Sequence, residues 1–265
     1  MYFEYEDSKY FKNVLKALKA INIDEIVFVA TPEGIMAREM DPSHVVLVDL
    51  SMPIEVFYEY DMEGKDKVLF PVDLDSMTKK IFKNVYKDEH VRIKIGEKDI
   101  LVSLKARVER KFKMSLRKPE YTEIPTPAMN HTTKVIMILS DLITVLKDVE
   151  AETVQFLCDP EKDIFKVSSI EESSTYSSYE EINYEVTFDR YHESLLEIEI
   201  ESDKPVQSKY AASWLKSIAN ALKPLEDVVQ LQFASCQPLQ ITMALKMGGK
   251  ITYYLAPRIE DPDEY

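Results

Sequence analysis

A helix-period run that turns at a short acidic corner and resumes with strand alternation occurs four times along the chain, and missing such a repeat would misread the whole fold. The first copy is "VLKALKAINIDEIVFV" (residues 14–29), in which Val27 and Val29 fall on one face of the strand. The second, "KKIFKNVYKDEHVRIKI" (79–95), has its corner at Asp88 and Glu89 and then alternates Val91, Ile93 and Ile95. "LITVLKDVEAETVQFL" (142–157) and "WLKSIANALKPLEDVVQLQF" (214–233) supply the third and fourth copies. Between them lie runs such as "HVVLVDL", "DILVSLKARVERKFKMSL", "EINYEVTF" and "SLLEIEIE", which alternate as half-exposed strands do. The stretch "RKPEYTEIPTPAMN" carries three prolines and no periodicity, so it reads as an extended connector. The expected organisation is an N-terminal domain over 1–116, a connector over 117–130 and a C-terminal domain over 131–265 with a short acidic tail. Two helix-strand copies per half imply a duplicated α+β domain, its helices segregated to one side of antiparallel sheets.

At 45% hydrophobic residues, 265 residues suffice for a sizeable core. The first residues, "MYFEYEDSKYFK", lack a signal-peptide apolar run, and "VIMILSDLITVL" is short and interrupted by Asp141, so neither export nor membrane spanning is expected. Cys158 and Cys236 are read as free thiols buried in apolar strands of an intracellular protein. Five glycines leave no phosphate-cradling loop, and neither G-x-G-x-x-G nor the P-loop pattern occurs. His44, His90, His131 and His192 are scattered without i, i+4 or Cys-x-x-Cys partners, which argues against a zinc site. No catalytic residue, cofactor or metal is expected.

Charge distribution is more informative than its sum. The formal net charge is −14, a poor footprint for nucleic-acid binding, yet "KYFKNVLKALK" (9–19) contains no acid. At 3.6 residues per turn, Lys9, Lys12, Lys16 and Lys19 share a stripe opposite Phe11, Val14, Leu15 and Leu18. Lys79, Lys80, Lys83 and Lys87 are expected opposite Ile81, Phe82 and Val85 on the second helix. Lys209, Lys216 and Lys223 recur at heptad spacing on the fourth, opposite Trp214, Leu215, Ile218 and Leu222. The third helix departs, mixing Ser140, Asp141, Thr144, Lys147 and Asp148. One lysine stripe is ordinarily a solvated face. Three together in an acidic chain point to a polyanion contacted through phosphates rather than bases.

With these segments in view, the sequence resembles the sliding clamps of the proliferating cell nuclear antigen family along its whole length. "MDPSHVVLVDL" (40–50), "QPLQ" (237–240) and "YYLAPRIED" (253–261) are similar to the family's hallmark segments in order and spacing. The resemblance implies two similar clamp-fold domains, antiparallel sheets outside and four helices inside, in a trimeric ring around duplex DNA. It implies a processivity factor without catalysis, placed by a clamp loader, that tethers DNA polymerase, flap endonuclease and DNA ligase. The family's inner-helix positions fall on Lys12, Lys19, Lys79, Lys80, Lys83 and Lys216. Its client-peptide pocket would comprise Met40, His44, Val45, Leu47, Tyr121, Ile124, Pro238, Tyr254, Ala256, Pro257 and Ile259.

Ring closure needs two different complementary edges. The basic run "KARVERKFKMSLRK" (105–118), with Arg107, Arg110, Lys111 and Lys113, is the expected mate of "SSYEEINYEV" (177–186), with Glu180, Glu181 and Glu185. Asp141 and Asp148 are further acids within reach of a basic neighbour. Two alternatives stand beside the trimer of identical chains: one subunit of a heterotrimeric clamp, and an acidic protein-binding scaffold that never encircles DNA. The lysine- and glutamate-rich composition and the "YYLAPRIE" ending suggest an archaeal source, which implies a cytoplasmic, nucleoid-associated protein; a eukaryotic one would be nuclear.

Overall fold

The structure, a computed structural model, describes residues 1–175 and 178–258, with side chains 170–182 outside the description. The chain divides into two compact units. The first comprises Met1–Thr126 and Ala244–Thr252; the second comprises Pro127–Met243 and the chain from Tyr253 onward. The division therefore differs from a single cut at the connector, since a segment near the C-terminus belongs to the first unit.

The first unit runs β1 (Tyr2–Tyr5), α1 (Ser8–Leu18), β2 (Glu25–Thr31), β3 (Gly34–Met40), β4 (Val46–Pro53), β5 (Glu59–Asp61), β6 (Val68–Asp73), β7 (His90–Ile95), β8 (Asp99–Lys105) and β9 (Glu109–Ser115). One antiparallel sheet has the order β5-β1-β7-β8-β9, and β6-β2-β3-β4 are adjacent in another. The second unit repeats the plan with β10 (Thr133–Ile138), α2 (Leu139–Asp148), β11 (Thr153–Asp159), β12 (Ile164–Thr175), β13 (Ser178–Asp189), β14 (Leu195–Ile200), β15 (Val206–Ala211), α3 (Ala212–Leu222), β16 (Val228–Phe233) and β17 (Leu239–Ala244). There the orders are β14-β10-β16-β17 and β13-β12-β11-β15. A last strand, β18 (Lys250–Leu255), follows a 3₁₀ turn.

Each unit is held around buried aromatic rings. In the first, Phe3 packs on Phe57 with centroids 5.1 Å apart, Phe28 on Phe70 at 5.4 Å and Phe11 of α1 on Phe82 at 5.9 Å. In the second, Phe156 meets Phe165 at 5.3 Å and Tyr210 at 5.7 Å. A fully buried large side chain contributes about 1.5–3 kcal/mol, so these clusters, rather than helix propensity, fix helices of only 10 or 11 residues.

The acidic corners have a structural use. Within each unit the corner after one helix receives the N-terminus of the other. Ser8 N donates to the Glu89 carbonyl at 2.8 Å and Leu74 N to the Asp24 carbonyl at 2.8 Å. In the second unit, Leu139 N donates to the Asp227 carbonyl at 2.9 Å and Ala212 N to the Glu152 carbonyl at 2.9 Å. Carboxylates reinforce the exchange: Ser8 Oγ donates to Glu89 at 3.0 Å, while Ser140 donates to Asp227 through N at 2.8 Å and Oγ at 2.9 Å. Helix N-termini leave N–H groups unpaired and carry partial positive charge, so the carboxylates of Glu89 and Asp227 suit two of these corners.

The second helix is the main departure from expectation. In place of a helix through Lys87, a single π-helical turn spans Ser76–Ile81 and closes with Phe82 N donating to Met77 O at 2.8 Å. Beyond it, side chains from elsewhere take backbone carbonyls of the loop. Lys12 Nζ donates to Lys83 O at 3.3 Å, and Arg110 donates to Asn84 O at 2.9 Å. Lys83 and Lys87 therefore lie on a loop, 82–89. Lys209 is likewise not helical, because "VQSKYA" forms β15 with Val206, Ser208 and Tyr210 inward. Cys158 is buried as expected, but Cys236 is exposed on a turn, with φ 56°.

Candidate nucleic-acid interface

Helix α1 buries Phe11, Val14, Leu15 and Leu18 and turns Lys9 and Lys16 to solvent, with Lys12 and Lys19 half-exposed. Asp7 caps it, accepting from Tyr10 N at 2.9 Å. Among the described residues, no carboxylate lies within ion-pair reach of Lys9, Lys12, Lys16 or Lys83. Burial first, and then the charge of Lys16, push the Lys12 ammonium below its ordinary pKa. In a chain of net charge −14, this is an unneutralised cationic cluster.

The other lysines divide. Lys19 and Lys79 both pair with Asp75, the latter at 2.8 Å, so that one acid offsets two cations. Burial, then Lys79, lower the Lys19 pKa. Lys80 donates to Ser76 Oγ at 3.3 Å. Lys216 donates to the Val149 carbonyl at the end of α2, where a cation suits the helix C-terminus. Lys223 is the exposed cap residue of α3, and Lys87 is exposed on the loop. The three equivalent basic faces expected from the sequence thus reduce to one complete stripe on α1, extended by Lys83 and Lys87 of the adjoining loop.

The loop between β3 and β4, "DPSH", is organised by Asp41, which is buried. Its carboxylate accepts from Ser43 N at 2.8 Å, Val45 N at 2.6 Å, Val46 N at 2.5 Å and the Ser43 hydroxyl. Burial alone would raise its pKa, but hydrogen bonds from Ser43, Val46 and Val45 outweigh that and hold it below the usual carboxylate value. His44 stands exposed at the turn with φ 58°. Met40 and Val45 are half-buried and Leu47 is buried. Beside them, Arg38 pairs with Asp49 at 2.6 Å and donates to Ile124 O at 2.8 Å, which straps the connector to this sheet. Lys67 stacks over Tyr121 at 5.5 Å. In the second unit Pro238, Tyr254, Ala256 and Pro257 are half-buried, while Ile259 lies outside the described residues.

The two candidate ring-contact segments form strands β9 and β13, each at the end of its sheet order and paired on one side only. Among the described side chains, their charges are largely satisfied within each unit. Arg110 pairs with Glu89 at 2.6 Å, Lys111 with Glu109 at 3.0 Å, Lys113 with Asp99 at 2.8 Å and Glu185 with Lys166 at 2.9 Å. Arg107 is exposed on the turn before β9. The side chains of Glu180 and Glu181 lie outside the described residues. Tyr184 of β13 reaches α2, donating to Val145 O at 3.1 Å; Asp141 is half-exposed and Asp148 exposed.

The family model for "Proliferating cell nuclear antigen, N-terminal domain" matches residues 1–124, and that for the C-terminal domain matches residues 121–258. The chain belongs to the proliferating cell nuclear antigen family. Among archaeal members, it is 30% identical over 261 residues to the DNA polymerase sliding clamp of Pyrococcus abyssi, covering 97% of this chain and 98% of that one. It is 28% identical over 259 residues to "DNA polymerase sliding clamp 3" of Aeropyrum pernix, again covering 97% and 98%. The fold is that of the Thermococcus kodakaraensis PCNA crystal structure, with TM-score 0.85, 23% identity and coverage of 97% and 99%. A chain of the Sulfolobus tokodaii PCNA2–PCNA3 complex superposes with TM-score 0.80 at 25% identity, covering 98% of this chain and all (100%) of that one.

Sequence reasoning missed several residues that shape these surfaces. Asp75, Arg38 and Asn84 act through partners distant in sequence. Tyr86, the one aromatic residue between Lys83 and Lys87, gave a compositional signal that periodicity did not register.

Proposed function

We propose that the chain acts as a DNA polymerase sliding clamp, a non-catalytic ring subunit that encircles duplex DNA and tethers replication and repair enzymes to it. The observation that carries this reading is the cationic stripe of Lys9, Lys12, Lys16 and Lys83, left without acid partners in a strongly acidic family member. Weak, sequence-independent attraction is what a ring needs inside its hole, since closure rather than affinity prevents escape, and an acidic exterior discourages DNA elsewhere. Lys79, Lys80, Lys87, Lys209, Lys216 and Lys223 add to the basic surface more weakly. Edge strands β9 and β13 would join neighbouring subunits by backbone pairing, a contact of two unlike edges that closes on itself. DNA polymerase, flap endonuclease, DNA ligase and clamp loader are the expected protein partners. The half-buried apolar group Met40, Val45, Tyr121 and Ile124, over buried Leu47 and beside His44, offers anchoring for an apolar side chain of a client peptide. Pro238, Tyr254, Ala256 and Pro257 are proposed as client-peptide contacts of the second unit.

A second reading, one subunit of a heterotrimeric clamp, is favoured by the likeness to the Sulfolobus tokodaii PCNA2–PCNA3 complex. The test is primer extension on a primed circle with polymerase and loader. Lys12→Glu/Lys16→Glu should abolish long products while sedimentation shows the oligomer unchanged. These two positions suit the experiment because Lys19→Glu would also set an acid against Asp75. Undiminished product length in the double variant rules out the clamp reading of α1. Sedimentation with and without sibling clamp chains separates the two assemblies.

A further inference from the structure

A solvent-open groove of about 520 Å³ runs between α1 and loop 82–89 of the first unit. Lys9, Lys12, Lys16 and Lys83 line it, together with Asn84 and Tyr86. Its size is that of ligand clefts that accept a nucleotide-sized group. The lysines alone account for phosphate contact. Tyr86 does not belong to that explanation.

Tyr86 is 58% exposed and one part of its environment is ordered. The Arg110 guanidinium lies 4.8 Å from the ring centroid, and is itself locked by the fully buried Glu89 carboxylate at 2.6 Å and by Asn84 O at 2.9 Å. Lys12, reaching Lys83 O at 3.3 Å, joins the helix to the same loop. The result is an exposed aromatic ring held against one cation, beside four ammonium groups with no carboxylate partner among the described residues. Duplex DNA offers phosphates to such a groove but keeps its base faces stacked inside. An unpaired strand offers both, and aromatic platforms flanked by cations are how proteins hold it. An acidic peptide would meet the lysines, but its carboxylates gain nothing from the electron-rich face of an exposed ring.

We infer that this groove takes an unpaired nucleic-acid strand, its phosphates on Lys9, Lys12, Lys16 and Lys83 and one base stacked on Tyr86. The inference rests on the reading of α1 as a nucleic-acid surface and extends it to a distinct ligand, single-stranded rather than double-stranded. Single strand lies beside duplex at every primer end, so such a groove would position the ring relative to a junction.

The test uses the full chain with two fluorescent probes of equal length at low salt, oligodeoxythymidylate and a blunt duplex, read by anisotropy. A third probe, oligodeoxythymidylate carrying 5-iododeoxyuridine, is photocross-linked and the adduct mapped by mass spectrometry. The expected adduct is on Tyr86. Tyr86→Ala should weaken single-strand binding roughly tenfold while leaving duplex binding within about twofold, and Tyr86→Phe should retain both. Lys12→Ala/Lys16→Ala should weaken both probes. Wild-type single-strand affinity in Tyr86→Ala, or an adduct mapped elsewhere, overturns the stacking inference and leaves the phosphate reading standing if the lysine variant still loses duplex binding. A lysine variant that binds both probes normally removes both readings. Displacement of the single strand by polyglutamate equally well from wild type and Tyr86→Ala would reduce the groove to a general anion surface and likewise overturn the inference.

Discussion

Replacing Arg110 by alanine isolates the most heavily committed ion pair of the first unit. Glu89 has 0% side-chain exposure and Arg110 26%, and the carboxylate's remaining partner is Ser8 Oγ at 3.0 Å. Removing one member of a buried pair costs about 3–5 kcal/mol, because a charge is stranded rather than merely because attraction is lost. Water entering the space left by the partly exposed guanidinium lessens this, and loss of the Tyr86 contact adds about 0.5–1 kcal/mol, so a total of about 2–4 kcal/mol is expected. The Glu89→Gln background separates stranded charge from lost packing, since a neutral amide needs no cation. There Arg110→Ala should cost about 1 kcal/mol, giving a coupling of about 1–3 kcal/mol. Because two units need not unfold together, the appropriate probe is amide hydrogen exchange across Ser8–Leu18, which Glu89 holds at its N-terminus. Equal losses of α1 protection in the wild-type and Glu89→Gln backgrounds would refute the reasoning, as would a single-variant cost below about 1 kcal/mol.

Three further outcomes follow from the same contacts. Asp41→Asn should destabilise the first unit by about 1–3 kcal/mol at neutral pH, since an amide cannot accept all the bonds the carboxylate takes. Because the folded-state pKa of Asp41 is depressed, its contribution is present above the unfolded value of about 3.9 and is lost as pH falls through the folded value, so urea titrations of wild type and variant should converge below about pH 4. A gap that widens on acidification would contradict this. In native protein at about pH 8, iodoacetamide should modify exposed Cys236 while sparing Cys158, whose thiol burial pushes up to about 12; comparable labelling of both by peptide mass mapping would argue against the packing around Cys158. Oligomers joined at β9 and β13 should lose little affinity between about 0.1 M and about 1 M salt, because most of the described edge charges are already paired within one unit. Dissociation at high salt in sedimentation would instead restore the ionic contact expected from the charge runs.

Local periodicity by itself determined the duplicated plan: alternating strands around four helix-strand turns, a connector where alternation fails, and the cationic stripe of α1. Those features depend on neighbours one to four residues apart, which the sequence places side by side. Tertiary structure decided how the charges are spent. Glu89 meets Ser8 across 81 residues and Arg110 across 21, while Lys216 meets Val149 across 67, and no periodic pattern encodes such distances. Long-range bonds likewise fix the loop after Ile81, where Lys12 and Arg110 take the carbonyls of Lys83 and Asn84, contacts that the helical period of the sequence does not encode. Net charge and spacing therefore identified where cations are, and only the fold determined which of them remain available to a ligand.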